Sequence, residues 1–275
     1  VTLTPKEFDL LAYFIKNQID LANIGSKYAL SGEKSNYSLT DDIVLTEDFK
    51  PIGYSTTSSE WVGFSGSFNG NGHTISALKL SGTEYNNAGL FTTLNNGSKV
   101  VDLKLDSVTI SGEFETAGAL AGSARGLFRN VTVTNAIIKN ENITGVTGGL
   151  FGKLSDASSV LSVASVDTTT ITVGKSGVVL SDGRVGGLIG ELDKAKVQAT
   201  YAKASINCVN DADNKVIAGG LVGKFDISVT DGTIQESYAI CESNKAAFGA
   251  FVGTIFEDGD FNPGQYKILK YLVGN

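Results

Sequence analysis

Gly148-Gly149-Leu150-Phe151-Gly152 is the clearest copy of a glycine-rich block that recurs along the chain and decides its fold. The block returns as Gly186-Gly187-Leu188-Ile189-Gly190 and as Gly219-Gly220-Leu221-Val222-Gly223. Looser copies lie at residues 88–91, 118–122 and 249–253, and the apolar residues at the six centres are Leu90, Leu120, Leu150, Leu188, Leu221 and Phe251. A recurrence every 30 to 38 residues is typical of stacked repeat proteins.

A second pattern lies between the blocks, an apolar residue followed at +3 and +5 by apolar or small residues. Its copies are Ile75/Leu78/Leu80, Val100/Leu103/Leu105, Phe128/Val131/Val133, Val160/Val163/Ser165, Val197/Thr200/Ala202, Ile234/Ser237/Ala239 and Tyr266/Leu269/Tyr271. We therefore expect one short strand around each glycine block and another after the following turn. Because such a strand pair cannot bury its apolar face alone, successive periods must stack. The prediction is an all-β parallel β-helix of about seven coils, in which the six block centres form the structural core.

The N-terminal segment carries a helix signal. Thr4-Pro5-Lys6-Glu7 supplies a capping hydroxyl, a proline at the first helical position and a glutamate three residues after the cap. Apolar residues then follow at helical spacing, which predicts an amphipathic helix over residues 5–18. We expect residues 1–36 to form a cap segment and 37–275 to form the repeats, as one folded unit. The alternative is a helix that packs on a neighbouring domain.

Composition favours a packed interior and excludes several classes of partner. The 275 residues include 33 glycines, 3 prolines and 41% hydrophobic residues, and the net charge is −7. No cluster of Lys and Arg is visible, which argues against nucleic acid and anionic membrane as partners. No apolar run is long enough for membrane insertion. The chain begins at Val1 and stops in strand-like sequence, so we expect a monomeric piece of a larger protein.

The sequence offers few residues for chemistry. His73 is the only histidine, in a turn of glycines and asparagines, and we expect its ring to bond nearby backbone rather than to act as a catalytic base. No spacing fits a zinc site or a phosphate-binding loop, so no catalytic, cofactor-binding or metal residues are predicted. Cys208 and Cys241 are expected to be free thiols, since aligning Val197–Ala202 with Ile234–Ala239 sets Cys241 opposite Ala204.

An enzyme that degrades polysaccharides is the main alternative, because such enzymes use the same architecture. It would need carboxylates that converge on one face. The candidates fall at differing offsets from the repeat: Asp102, Asp106, Asp182, Asp193 and Asp226. Asp41-Asp42 and the acidic residues of 257–260 are interpreted as solvated loop charge rather than as calcium ligands. The threonine-rich stretch 168–173 is interpreted as ordinary strand sequence.

The repeat resembles a known family. The Gly-Gly-Leu-Val-Gly blocks followed by Ile/Val-x-x-Ser/Thr-Tyr-Ala are similar to the GLUG repeat, and residues 37–45, 51–53 and 64–75 are similar to the segment that precedes such repeats. The resemblance covers roughly residues 37–255. It implies a right-handed parallel β-helix in a secreted or cell-surface bacterial adhesin-like protein, or in the non-catalytic N-terminal region of a metallopeptidase that cleaves immunoglobulin A. The three looser blocks depart from the pattern, so their coils are expected to be less regular.

These observations together predict a non-catalytic extracellular module. It would bind a host or matrix protein or a glycan, or act as a spacer, and it would need no cofactor. The variable inserts 174–185 and 208–217 are the candidate contact surface, because rigid scaffolds place function on loops. Two alternatives stay open, a polysaccharide-degrading enzyme and an accessory domain of a larger secreted metallopeptidase.

Overall fold

The fold is built almost wholly from short β-strands. The computed structural model describes residues 12–25, 28–29, 35–53, 63–211, 215–226, 232–244 and 248–256. In these ranges there is a single helix, α1 (Gln18–Ala22). The Asn17 side chain caps it by accepting hydrogen bonds from the backbone N–H groups of Ile19 and Asp20 at 2.9 and 3.0 Å. The cap satisfies donors that a helix start leaves unpaired.

The strands follow one another in a repeating order. Those that lead up to the first glycine block are β1 (Ala12–Ile15), β2 (Ile24–Gly25), β3 (Tyr28–Ala29), β4 (Ser35–Leu39), β5 (Ile43–Val44), β6 (Gly66–Asn69), β7 (Thr74–Ser76), β8 (Lys79–Gly82) and β9 (Asn87–Ala88). The middle of the chain forms β10 (Phe91–Asp106), β11 (Thr109–Gly112), β12 (Thr116–Ala117), β13 (Ala121–Thr134), β14 (Ile137–Asn140), β15 (Val146–Gly148), β16 (Phe151–Ser155) and β17 (Val160–Val173). The remaining strands are β18 (Arg184–Gly186), β19 (Ile189–Asp193), β20 (Lys196–Gln198), β21 (Tyr201–Cys208), β22 (Ile217–Gly219), β23 (Val222–Asp226), β24 (Thr233–Gln235), β25 (Tyr238–Ser243), β26 (Phe248–Gly249) and β27 (Val252–Phe256).

Successive repeats stack in register, as the spacing of the glycine blocks predicts. In one row Phe91 pairs with Ala121, and the row continues through Phe151, Ile189, Val222 and Val252. Every strand pairing recorded in the described ranges is parallel, with 19 strands in one sheet, six in a second (β9, β12, β15, β18, β22 and β26) and two in a third. This arrangement is a parallel β-helix. The predicted number of coils stays a prediction, because the copy at 266–271 lies outside the described residues.

The glycine blocks lie between two strands rather than within one. Gly149 and Leu150, for example, separate β15 from β16. A Cβ atom on Gly149 would lie 2.2 Å from the carbonyl oxygen of Gly187 in the next coil, and one on Gly187 would lie 2.2 Å from that of Gly220. Close approach of neighbouring coils therefore requires glycine here. Of the six block centres, Leu90, Leu120, Leu150, Leu188 and Leu221 are fully buried, and Phe251 is half-buried.

The helix expected over residues 5–18 is not confirmed. Residues 1–11 lie outside the described ranges, and residues 12–15 form β1, which pairs in parallel with β4. Pairing in the sheet overrides the local helical pattern here, because it buries Ile15 and satisfies the backbone by hydrogen bonds to the next coil. The helix that does form, α1, starts after Asn17.

The second sequence pattern is out of register in two of its copies. The structure pairs Ile75 with Leu105, not with Val100. It also pairs Leu161, not Val160, with Phe128. Since side chains alternate between faces, the one-residue slip at 160 exchanges inside for outside, so Leu161 and Val166 are buried while Val163 is 53% exposed. The repeat also contains more strands than the two predicted per period.

Corners between the strands are made by residues with left-handed backbone. One corner column holds Asp102, Asn130, Val163, Ala199 and Glu236, whose φ angles lie between 50° and 53°. A second column holds Ala77, Ser107, Asn135 and Thr168, with φ between 50° and 58°. These corners let β10, β13 and β17, each 14 or 16 residues long, bend round the core.

Candidate ligand-binding groove

The regular corner is lost at one point along the β-helix. Val166 pairs with Ala202 and Thr169 with Ala204, so Asp167 and Thr168 face the single residue Lys203. The left-handed corner that ends at Thr168 therefore has no counterpart in β21, which runs without a break from Tyr201 to Cys208. Because the outline of the coil changes here, the outer surface becomes concave.

A groove of about 440 Å³ lies at this change of outline. It takes three consecutive residues from each of three stacked coils: Thr168, Thr169, Thr170, Lys203, Ala204, Ser205, Ile240, Cys241 and Glu242. Its size falls in the usual range for small-molecule sites, about 300–1,000 Å³. We refer to these nine residues as the groove.

A charged and hydroxyl-bearing cluster borders the groove. The Tyr201 hydroxyl donates a hydrogen bond to the Asp167 carboxylate at 3.0 Å, the Thr168 hydroxyl donates at 3.1 Å, and the Lys203 ammonium lies 3.5 Å away. Burial opposes the charged form of Asp167, but these three groups outweigh it and hold its pKa below the ordinary value. Burial and the bond to Asp167 raise the pKa of Tyr201. Asp167 is thus a fixed carboxylate at neutral pH.

An aromatic pair extends the same outer face. The rings of Tyr201 and Tyr238 stack with centroids 5.3 Å apart and an interplanar angle of 8°. Tyr238 is 44% exposed and Ile240, two residues further on the same strand face, is 62% exposed. The pair and Ile240 place apolar surface beside the charged groups.

Cys241 lines the groove, but its thiol is largely buried and bonds backbone inside the β-helix. Its thiol donates to the backbone oxygen of Gly220 at 3.1 Å. Burial raises the pKa of Cys241 to about 11. A thiol with so high a pKa is protonated at neutral pH and is a poor nucleophile. Cys208 and Cys241 are not joined in a disulfide, and Cys241 pairs with Ala204 as the sequence alignment predicts.

The predicted site residues lie apart from the groove. The ring of His73 was expected to bond nearby backbone. It instead contacts the Asp42 carboxylate, with Nδ1 and Oδ1 3.2 Å apart. The backbone N–H of Thr74 donates to the same oxygen at 2.8 Å, and these two bonds lower the pKa of Asp42. A carboxylate shared by a ring and a backbone donor fixes this turn against the preceding coil.

Four of the acidic residues singled out in the sequence have separate partners, whereas Asp193 pairs in register with Asp226 of the next coil, so these two share one offset from the repeat. Asp102 accepts from Asn130, and Asp106 accepts from Ser107, Thr134 and Asn135. Asp182 lies beside Arg184, and Asp226 beside Lys224. Within the described part of the chain no three His, Cys, Asp or Glu side chains are grouped so that they could hold a metal ion. Residues 257–260 lie outside it.

The two inserts proposed as a contact surface meet each other. The backbone N–H of Leu180 donates to the oxygen of Asn210 at 3.3 Å, and the Asn210 amide donates to the oxygen of Lys175 at 2.8 Å. Leu180 and Val216 are buried in a second apolar cluster beneath them. The inserts are therefore partly structural, although residues 212–214 are outside the described ranges.

Sequence reasoning missed the groove. A signal was present, since residues 166–171 contain one residue more than the equivalent 202–206. This difference in length does not appear in the predicted repeat, because the predicted copy at Val160 lies one residue out of register.

Comparisons with known proteins bear on the fold and the setting. No protein-family model matches the chain. It is 31% identical over 153 residues to halomucin of Haloquadratum walsbyi, across 53% of this chain and 2% of that protein. It is also 31% identical over 125 residues to a protein of Evansella cellulosilytica provisionally named a Gly-rich membrane protein, across 44% of this chain and 14% of that one. The chain thus spans a small part of both relatives.

Two solved structures share the architecture. One, provisionally named an immunoglobulin A1 protease from Bacteroides ovatus, has a TM-score of 0.62 and 19% identity over 91% of this chain and 85% of that one. The other is an IgA1 protease, with a TM-score of 0.58 and 18% identity over 88% of this chain and 21% of that one. At this identity the likeness shows the fold. Among the described residues, no helix has the length and apolar character needed to cross a membrane.

Proposed function

We propose that this chain is a non-catalytic β-helix module of a bacterial surface or secreted protein, which binds a host or matrix ligand through its outer face. The groove carries the proposal. The groove and the charged cluster beside it combine exposed apolar surface, a fixed carboxylate and an ammonium group on a scaffold whose strands are held in parallel register. Preorganised side chains on a rigid scaffold favour binding, because little conformational freedom is lost when the ligand arrives.

An extracellular setting agrees with the comparisons. The relatives are named halomucin and, provisionally, a Gly-rich membrane protein, and the structures of the same fold are named immunoglobulin A1 proteases. This chain matches 21% of one of those proteases, which supports an accessory, non-catalytic region of a larger protein as one setting. The module would then bring the rest of its protein to a surface.

Degradation of a polysaccharide is not favoured. A glycosidase needs a carboxylic acid whose pKa is raised so that it can protonate the leaving group. The carboxylate beside the groove, Asp167, has a lowered pKa because Tyr201, Thr168 and Lys203 stabilise its charge. It is suited to holding a ligand or a lysine, and it is a poor proton donor.

Binding is tested on arrays of host and matrix proteins and of glycans probed with the whole chain. We expect saturable binding to at least one class of ligand and no release of reducing ends from the glycans. Consistent turnover of any glycan would overturn the non-catalytic proposal. Absence of saturable binding across both arrays would leave only a spacer role.

A further inference from the structure

The groove has the chemistry of a sugar site. We propose that it binds a neutral oligosaccharide, with Thr168, Thr170, Lys203, Ser205 and Glu242 as its polar contacts and Ile240 as its apolar contact. The inference rests on the proposed function, that the chain is a ligand-binding module, and names the site and the class of ligand.

The backbone around the groove leaves side chains as the only available contacts. β21, which forms the centre of the groove, pairs in parallel with β17 on one side and with β25 on the other. A strand with two partners has no free edge to which an extended peptide could add. A ligand of β21 must therefore be recognised by the side chains that point outward.

Those side chains match the surface of a sugar ring. The hydroxyls of Thr170 and Ser205 can each donate and accept hydrogen bonds, and that of Thr168 can accept, since its proton is donated to Asp167; Lys203 donates and Glu242 accepts. A sugar likewise carries hydroxyls that donate and accept around a patch of C–H groups. Ile240, 62% exposed in the groove, offers the apolar partner for that patch. A small apolar area with a few polar groups around it is the usual composition of a ligand pocket.

The charges select a neutral ligand over an acidic one. Among the described residues that line the groove, Lys203 is the one cation, and the Asp167 carboxylate lies 3.5 Å from its ammonium. Within the described residues no ion pair neutralises Glu242, so Asp167, Lys203 and Glu242 together carry a net charge of −1. The whole chain carries −7. An acidic glycan would be repelled by this field, and a neutral one would not.

Backbone strain coincides with the groove. Thr168 forms its wall with a left-handed φ of 50°, which a β-branched residue rarely adopts, whereas the same corner in earlier coils is Ala77, Ser107 or Asn135. Strained residues are concentrated at binding sites, where the surrounding structure holds them. The threonine places a hydroxyl beside Asp167, where alanine would place none.

The test blocks the groove and compares it with a matched position on the same face. Ser205 lies in a lateral row that runs from Thr109 through Ile137 and Thr170. Ser205→Arg would fill the groove, and Thr109→Arg adds the same side chain to the same row away from it. The wild-type chain is first screened on an array of neutral and acidic oligosaccharides. The tightest neutral ligand is then titrated by calorimetry against both variants, whose folding is checked by thermal melts.

We expect Ser205→Arg to weaken binding at least about tenfold and Thr109→Arg to change it less than about twofold. Glu242→Lys is expected to gain affinity for acidic oligosaccharides, since it reverses the sign of the local charge. Binding of a neutral oligosaccharide that Ser205→Arg leaves unchanged would overturn the groove assignment, while the proposed function would stand. Binding restricted to acidic glycans or to proteins would overturn the ligand class. Absence of any ligand would overturn both proposals.

Discussion

The coils up to β16 and the coils after it place their aromatic side chains differently. In the earlier coils phenylalanine rings pack against one another inside, as in the pairs Phe64–Phe91 and Phe128–Phe151, each with ring centroids 5.0 Å apart. In the row that continues Phe128, the inner residues become Leu161, Val197 and Ile234. The stacked aromatic pair of the later coils, Tyr201–Tyr238, lies on the outer face. One repeat thus supports an aromatic core in its earlier coils and an exposed aromatic pair beside the groove in its later ones.

The corners differ in the same way. In the coils before residue 169 a left-handed residue separates the two strands of the outer face. In β21 and β25 the chain runs straight past this position, and the groove forms there. A groove can therefore arise in a repeat protein from a change of one residue in coil length, without an inserted loop.

The largest expected effect compares the middle of the block column with its C-terminal end. Leu188 is fully buried, and Leu188→Asp would bury a charge without a partner, which should destabilise the fold by more than about 4 kcal/mol. Phe251, at the C-terminal end of the column, is half-buried, and Phe251→Asp should cost about 1–3 kcal/mol. Denaturant unfolding measures both. Equal costs would contradict a column whose burial decreases toward residue 251.

A smaller effect compares the inner and outer aromatic pairs. Phe128→Ala leaves a cavity against Phe151 and should cost about 3–5 kcal/mol. Tyr238→Ala removes a partly exposed ring and should cost about 1 kcal/mol. If thermal melts showed the same loss of stability for both variants, the distinction between a buried aromatic pair and an outer aromatic pair would be wrong.

The corner column permits a reciprocal exchange. Val163 and Asn130 occupy the same corner in neighbouring coils, with φ of 51° and 53°. Asparagine adopts this left-handed conformation readily, whereas valine adopts it only under strain, so Val163→Asn should stabilise the chain by about 1 kcal/mol. Asn130→Val should destabilise it by at least about 1 kcal/mol, because the amide also donates to Asp102 at 2.8 Å. Chemical denaturation of both variants checks the opposite signs.

The smallest effect is the acid dependence of the cluster beside the groove. The folded pKa of Asp167 lies below its ordinary value of 3.8. The charged carboxylate therefore stabilises the fold at neutral pH, and this contribution is lost as the pH falls below 3.8 toward the folded pKa. The difference in melting temperature between the wild type and Asp167→Asn should be constant near neutral pH and shrink only as the pH falls below 3.8 toward the folded pKa.

Tyr201→Phe is the matched control for that measurement, since it removes the hydroxyl that donates to Asp167 and keeps the carboxylate. Its acid dependence should be weaker than that of the wild type. A pH-independent difference between the wild type and Asp167→Asn would mean that Asp167 acts by packing alone.

Local patterns were reliable where one coil repeats the next, and unreliable where the coils differ. The parallel stack and the lack of a disulfide between Cys208 and Cys241 follow from spacing, since Leu150 and Leu188 stand at equivalent points and Cys241 pairs with Ala204. The helix over 5–18 was not confirmed, because the helical pattern at residues 12–15 competes with strand pairing that only the folded stack provides. The predicted repeat copy begins at Val160 instead of Leu161, one residue out of register, because Leu161 and Val160 are both apolar and the pattern alone cannot distinguish them.

A period of 30 to 38 residues with glycine and leucine at fixed points is enough to predict that the chain stacks as a β-helix, because these residues allow coils to approach and to share a core. Which side chains face outward, and where they meet, depends on how the coils pair in the folded chain. Strand side chains alternate at every residue, so a single residue of register decides the face. The groove joins Thr170, Ser205 and Glu242, which are distant in sequence and become neighbours through coil-to-coil pairing alone.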